Sequence, residues 1–258
     1  MKKPGKIVRN WFHQISAATA YLRRDENSFM NLGYLEENEQ FVQSHVYLQE
    51  NLYLRLIHAA KDFLQELNVK SALEIGCGRG GGSQLLKIEW PTANVVGLDR
   101  VCANVLMAHR QFRDIEFVKA DACNFNLHRK FELVLNLESA HAYSDLQGFV
   151  DAVKKHINPG GVFAFGDLMS AERSEIFLRL CHEAGFVLVY SENISARVVD
   201  SLRLRNKLKS GLLFRYPHFF PGIVHNFFVT TRSRTFHRLT QGNFVYLLFV
   251  FKYFETDK

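Results

Sequence analysis

Three groups of side chains stand out by type and spacing. The run Glu74-Ile75-Gly76-Cys77-Gly78-Arg79-Gly80-Gly81-Gly82 concentrates glycine directly after an apolar stretch. Glycine permits positive φ and close approach of backbone to a ligand. A helix that follows such a turn offers its first N–H groups to that ligand. Asp99 ends the next apolar stretch, where a carboxylate can accept both hydroxyls of a ribose. The third group is Asn136-Leu137-Glu138-Ser139-Ala140-His141-Ala142-Tyr143. An imidazole titrates near ~6.5 when unperturbed and suits proton transfer. Glu138, three positions before His141, would share its face on a helix and could orient the ring. The residues therefore describe a ribose-bearing ligand beside a candidate base. Gly76, Gly78 and Gly81 also satisfy G-x-G-x-x-G, so a dinucleotide site stands as an alternative.

These groups need elements to hold them. Apolar runs at 71–75, 95–98, 115–119, 131–137, 162–165 and 187–190 read as buried strands, and a last strand starts at Phe244. The turn Asn158-Pro159-Gly160-Gly161 leads into the fifth. Tyr47, Leu48, Leu52, Leu56, Ile57 and Phe63 mark a long helix ending near Asn68, and 83–90, 102–112 and 176–184 read as further helices. This alternation predicts an α/β fold with a doubly wound, seven-stranded, mostly parallel sheet and helices on both faces. Ligands of such sheets bind outside the carboxyl ends of the strands, where the glycine turn, Asp99 and His141 all fall.

Two segments depart from the alternation. Ile7, Trp11, Ile15 and Ala18 form an apolar stripe rimmed by Lys6, Arg9, Arg23 and Arg24. That is an amphipathic helix, packed on the main domain or resting on a membrane surface. Between 194 and 242, Arg203, Arg205, Lys207 and Lys209 form a basic stripe that reads as a solvated helix face, with a lipid-headgroup contact as the alternative. An aromatic run follows, Tyr216-Pro217-His218-Phe219-Phe220-Pro221, with His225, Phe227 and Phe228. This segment is expected to form a lid whose rings wall a substrate pocket. The expected organisation is a helical cap at 1–68, a core at 69–193, the lid at 194–242 and the closing strand at 243–258.

Composition narrows the class. The chain has 258 residues, 47% of them hydrophobic and 22% charged, enough apolar material to exclude intrinsic disorder. The 32 basic and 26 acidic side chains leave a net charge of +6, too small an excess to argue a nucleic-acid partner. Four cysteines without a C-x-x-C pair predict neither a zinc site nor a disulfide framework, and no metal is expected. The apolar stretch 244–254 is about half of the roughly 20 residues a membrane span needs. A cytoplasmic location follows as the expectation, since Arg9, His13 and Gln14 interrupt any secretory h-region.

With Asp121-Ala122 after the third strand and Asn158-Pro159-Gly160-Gly161 before the fifth, residues 69–190 resemble class I S-adenosylmethionine-dependent methyltransferases. The resemblance implies S-adenosylmethionine as cofactor. It places Gly76, Gly78 and Gly80 under the methionine part, Asp99 on the ribose, and Asp121 on the adenine with Ala122 beside it. Glu74, Arg100 and Asn136 complete the implied cofactor set. The phrase running from Leu135 to Tyr143, together with Asn31-Leu32-Gly33-Tyr34, is similar to a narrower group. These are small-molecule O-methyltransferases of polyketide-derived lipids and glycolipids, the mycobacterial phthiotriolone type among them. That likeness implies a hydroxylated, apolar small molecule as acceptor, His141 as its general base and Glu138 as the base's partner. Carbon methylation of an enol or sterol-like acceptor and a nicotinamide-dependent oxidoreductase are the alternatives.

Overall fold

The computed structural model describes residues 27–39, 42, 44–64, 69–208, 231 and 233–255. The expected helix at 7–22 and the aromatic run at 216–228 lie outside the described residues.

The chain alternates as its periodicity predicts. Helix α1 (His45–Leu64) is followed by β1 (Ser71–Ile75), α2 (Gly81–Glu89), β2 (Asn94–Asp99), α3 (Cys102–Gln111) and β3 (Glu116–Lys119). Then come β4 (Phe131–Leu137), α4 (Leu146–His156), β5 (Ile157–Met169), α5 (Ala171–Glu183) and β6 (Phe186–Asn193). Helices α6 (Ser195–Leu208) and α7 (Arg234–Thr240) precede β7 (Val245–Tyr253). Local chemistry sets several boundaries. Asp145, Ser170 and Ser233 cap α4, α5 and α7 by accepting from the backbone N–H of Gly148, Arg173 and Phe236. Gly185, at φ 94°, ends α5 in the left-handed conformation and donates its N–H to His182 O.

The seven strands form one sheet in the order β3-β2-β1-β4-β5-β7-β6. All pairings are parallel except those of β7, which runs antiparallel to both neighbours. The chain moves outward from β1 through β2 to β3, then returns to place β4 on the other side of β1. That reversal opens a crevice at the carboxyl ends of β1 and β4, the position where sheets of this kind bind ligands.

Strand alternation sorts the core into two layers. Leu73, Ile75, Val134, Phe163, Phe165, Phe249 and Phe251 face α4 and α5, where Phe149 and Phe177 join them in an aromatic layer. The Phe165 and Phe177 rings stack with centroids 4.2 Å apart. Ala72, Leu133, Leu135, Val162, Leu248 and Val250 face the opposite layer, with Leu52, Leu56 and Ile57 of α1 and Val198 and Leu202 of α6.

Two features differ from the expectations. Helix α4 went unread, although Phe149, Val150 and Val153 carry its buried stripe. Strand β5 starts at Ile157, so Asn158–Gly161 is a bulge inside the strand and not a turn before it. The pairing jumps there from Phe131 with Ile157 to Leu133 with Val162. In the segment expected to be a lid, the described part forms α6 and α7, which bury Val198, Leu202, Phe236 and Leu239 in the core.

Candidate active site

The glycine turn leaves β1 with Gly76, Gly78 and Gly80 at φ 77°, 54° and 88°. Gly81 already belongs to α2 and has no positive φ. The conformational demand thus falls on the G-x-G-x-G register, not on the G-x-G-x-x-G alternative. Gly76 and Cys77 donate their N–H groups to Leu98 O, at 2.7 and 2.9 Å, which fixes the turn to β2. Gly82 is required by close approach. A Cβ there would lie 2.2 Å from the Tyr53 ring and 2.3 Å from Glu74 Oε1.

Two buried carboxylates brace this turn. Glu74 accepts from Tyr53 Oη at 2.8 Å and from Ser83 Oγ at 2.6 Å, so it joins α1, β1 and α2. Burial pushes its carboxyl up to about 7, against the two hydroxyl bonds. Asp99 accepts from Gly78 N at 3.0 Å and from Val101 N at 2.7 Å. Burial raises its pKa too, while these hydrogen bonds and the nearby Arg100 charge oppose the rise. Beyond it, Ala120 N donates to Asp99 O, which brings the end of β3 alongside. Asp121 is exposed there and accepts from Cys123 N, and Ala122 is buried beside it. The glycine turn, Asp99, Asp121 and Ala122 therefore follow one another along the carboxyl ends of β1, β2 and β3.

Across the crevice, Asn136 closes β4 and is fully buried. Its Nδ2 donates to Ile75 O at 2.8 Å and Ser139 Oγ at 2.7 Å. Its Oδ1 is buried without a hydrogen-bond partner among the described residues. The chain then bends at Glu138, which holds φ at 50°. A non-glycine residue in that region is strained and persists only where its surroundings impose it. His141 follows on a three-residue 3₁₀ turn, Ala140–Ala142.

The partner expected for His141 is corrected here. Glu138 precedes the turn in a left-handed conformation, so no helix face joins it to the imidazole. Its carboxylate instead accepts from Leu32 N, at 2.8 and 3.0 Å. Burial pushes this carboxyl up to about 7 as well. The carboxylate that holds His141 is Asp167, fully buried on β5. Its Oδ1 lies 2.9 Å from His141 Nδ1, and its Oδ2 accepts from His141 N at 2.7 Å. The His141 side chain is 49% exposed, so a buried anion supports a solvent-facing ring. The signal for Asp167 was present in the sequence: it is the one charged residue within the apolar run 162–169.

Arg205 is a second correction. Expected on a solvated basic face, it turns inward from α6 and donates Nη1 to Asn31 O at 2.8 Å and Leu32 O at 2.6 Å. Desolvation pushes its guanidinium down to about 10. Its neighbour Arg203 does stay exposed, paired with Asp200. One residue, Leu32, is thus gripped through its N–H by Glu138 and through its C=O by Arg205. The same segment passes over the glycine turn. Arg79 Nη1 donates to Asn27 O, and the space beside Gly81 is filled by Phe29.

Residues 73–165 match the family described as Methyltransferase domain. The chain is 30% identical over 172 residues to the phthiotriol/phenolphthiotriol dimycocerosates methyltransferase of Mycobacterium tuberculosis, covering 62% of this chain and 60% of that protein. It is 31% identical over 153 residues to the fatty-acid O-methyltransferase of Mycolicibacterium smegmatis, covering 58% and 56%. The chain thus spans about 60% of the length of the first relative and 56% of the second. Among solved structures, the O-methyltransferase of a Brevibacillus brevis trans-AT polyketide synthase, in complex with S-adenosyl-L-homocysteine, superposes with a TM-score of 0.67. Identity there is 14%, and the match covers 88% of this chain and 84% of that one. The [4+2]-cyclase SpnF superposes with a TM-score of 0.74 at 13% identity, covering 99% of both chains. The chain has the class I methyltransferase fold, and the family match falls on its first five strands.

Proposed function

We propose that the protein uses S-adenosylmethionine to methylate a hydroxyl of a small, largely apolar, lipid-like molecule, with His141 as the base. The observation that carries this reading is His141 on the exposed edge of the crevice, backed by the buried Asp167 at 2.9 Å. The fold alone does not carry it, since a protein named as a cyclase shares the same architecture.

The residues of the glycine edge fit that cofactor. Glu74 and Asp99 surround the turn with buried carboxylates, a setting suited to a sulfonium cation and an ammonium group and poorly suited to a pyrophosphate. Asn136 Oδ1 adds a buried acceptor that has no hydrogen-bond partner among the described residues. The turn adopts positive φ at Gly76, Gly78 and Gly80, the register the resemblance assigns to the methionine part. Asp99 would take the ribose hydroxyls, and Asp121 with Ala122 the adenine.

When bound, the cofactor supplies an electrophilic methyl group whose bonding electrons leave with sulfur. The chain's own residues prepare the acceptor. Asp167 receives the Nδ1 proton of His141 in a hydrogen bond, which leaves Nε2 to take the proton of the acceptor hydroxyl. The imidazolium that results is stabilised by the same carboxylate. Positioning contributes the larger share of the acceleration, because the acceptor oxygen must lie in line with the methyl carbon. Glu138 and Arg205 contribute by fixing the 27–34 segment over the turn, not by touching the proton.

Incubation with tritiated-methyl S-adenosylmethionine and 1-hexadecanol, a long-chain 1,3-diol or hexadecanoic acid tests the reading. Label in an ether supports it. Label in the acid alone moves the acceptor from hydroxyl to carboxyl, and label in no acceptor contradicts it.

A further inference from the structure

We propose that Arg173 is a positioning residue that holds His141 in its reactive orientation; this rests on the reading of His141 as base. The turn that carries His141 has little to hold itself. Its backbone bonds are Ala142 N to Ser139 O and Tyr143 N to Ala140 O, each 3.0 Å. A 3₁₀ turn of three residues is a poor anchor, since its hydrogen-bond geometry is weaker than that of an α-helix. The anchor comes from two later elements. On the N–H side, Asp167 of β5 receives both the backbone N–H and Nδ1 of His141. On the carbonyl side, Nη2 of Arg173 donates to Ala140 O at 3.0 Å and Tyr143 O at 2.8 Å.

These two carbonyls bracket His141. A single guanidinium therefore fixes the turn before and after the imidazole, while Asp167 fixes the residue itself. Arg173 is firmly placed for this task. It lies in the first turn of α5, where its own N–H bonds the Ser170 cap, and α5 is pinned to the sheet by Phe177 against Phe165. Both bonds are charge-assisted and leave one nitrogen of the guanidinium, so a single cation ties the two carbonyls together. None of this serves the aromatic core, and Arg173 is only partly buried. Its bonds go to the one loop that carries the candidate base. Loss of the brace lets the turn shift, the Nδ1–Asp167 bond weakens, and the proton distributes over both ring nitrogens.

Ring-nitrogen NMR of ¹⁵N-histidine-labelled protein reads this without an acceptor, with His141 assigned by its loss in His141→Gln. The parent is expected to show a single Nδ1–H tautomer at His141. Arg173→Gln should move the two ring-nitrogen shifts toward their average, and Arg173→Lys should restore much of the difference. Should Arg173→Gln melt below the measuring temperature, Arg173→Met keeps the packed stem and carries the same expectation. A spectrum identical to the parent in a folded variant overturns the proposal. A double-mutant cycle supplies the kinetic half, with methyl transfer to 1-hexadecanol or another acceptor labelled above. Arg173→Gln should lower kcat by about tenfold, since small misplacements of a reacting group cost up to ~10²-fold. Acceptor KM and S-adenosylhomocysteine affinity should stay put. In the His141→Gln background the same change should do almost nothing. Equal losses in both backgrounds overturn the proposal. A His141→Gln protein as active as the parent would remove the base reading, while the NMR result would still decide whether Arg173 sets the imidazole.

Discussion

The two sides of the crevice are built on different principles. On the glycine side, Glu74 binds Ser83 nine positions away and Tyr53 twenty-one away, and Asp99 binds Gly78 twenty-one away. The turn and its braces come from neighbouring elements that the chain lays down in succession. On the acceptor side, His141 depends on Asp167 across 26 positions and Glu138 binds Leu32 across 106. Arg205 reaches Asn31 across 174. The glycine side is a local device, and the acceptor side is assembled from the whole chain. A local device can serve one cofactor in many proteins, whereas a distributed one can be altered for each acceptor.

The largest expected effect isolates the two sides from each other. His141→Gln should lower kcat by roughly 10²–10⁴-fold, the usual share of general-base catalysis, with cofactor affinity nearly unchanged. An aliphatic alcohol should suffer more than an acidic phenol, which ionises more readily unaided. A fully active, folded variant would leave positioning alone to drive the reaction.

Asp167→Asn comes next and sharpens the point that a distant carboxylate governs the acceptor side. An amide can bond the ring but does not stabilise the imidazolium, so kcat should fall by about 10²-fold. Glu138→Gln keeps an acceptor for Leu32 N and should cost far less in kcat. Equal losses at 138 and 167 would return Glu138 to the role first expected of it.

Asp99→Ala acts on the other side. Charge-assisted hydrogen bonds contribute roughly 1.5–3 kcal/mol, so S-adenosylhomocysteine should bind about tenfold more weakly or worse by calorimetry. Unchanged affinity would remove the ribose assignment. Acceptor KM should not follow it.

The sequence exposed these two sides unequally. The glycine turn, Asp99 and the strand Phe131–Leu137 were readable because each is encoded within one stretch of chain. His141 is reached as a candidate by the same means, from its place after a strand. Its partner was misassigned, because spacing of three suggests a shared face only where the backbone is helical, and Glu138 at φ 50° is not. Arg205 looked solvated because its neighbours Arg203 and Lys207 are exposed; only the packing of α6 against the 31–34 segment turns it inward. Asp167 and helix α4 had signals that pattern reading passed over: a charge inside an apolar strand, and a helical stripe after an aspartate cap.

The smallest effect compares Glu74 and Glu138, one on each side. Burial pushes both carboxyls up to about 7. Folding therefore retains protons that the unfolded chain has released. Their contribution to stability is full below the ordinary carboxylate range and is lost as pH rises through about 7. Thermal melts between about pH 5 and 8 should show Tm falling by a few degrees for the parent. Glu74→Gln and Glu138→Gln should each flatten that fall, because a neutral amide has no proton to lose. Slopes unchanged in both variants would mean that neither carboxyl is buried as described.

Calorimetric titration of the parent protein with S-adenosylhomocysteine, and separately with NAD, tests most directly whether the glycine side holds a sulfonium-type cofactor. Turn geometry at Gly76, Gly78 and Gly80 and the buried carboxylates Glu74 and Asp99 predict saturable binding of S-adenosylhomocysteine and no heat from NAD. Saturable NAD binding with a silent S-adenosylhomocysteine titration would contradict it.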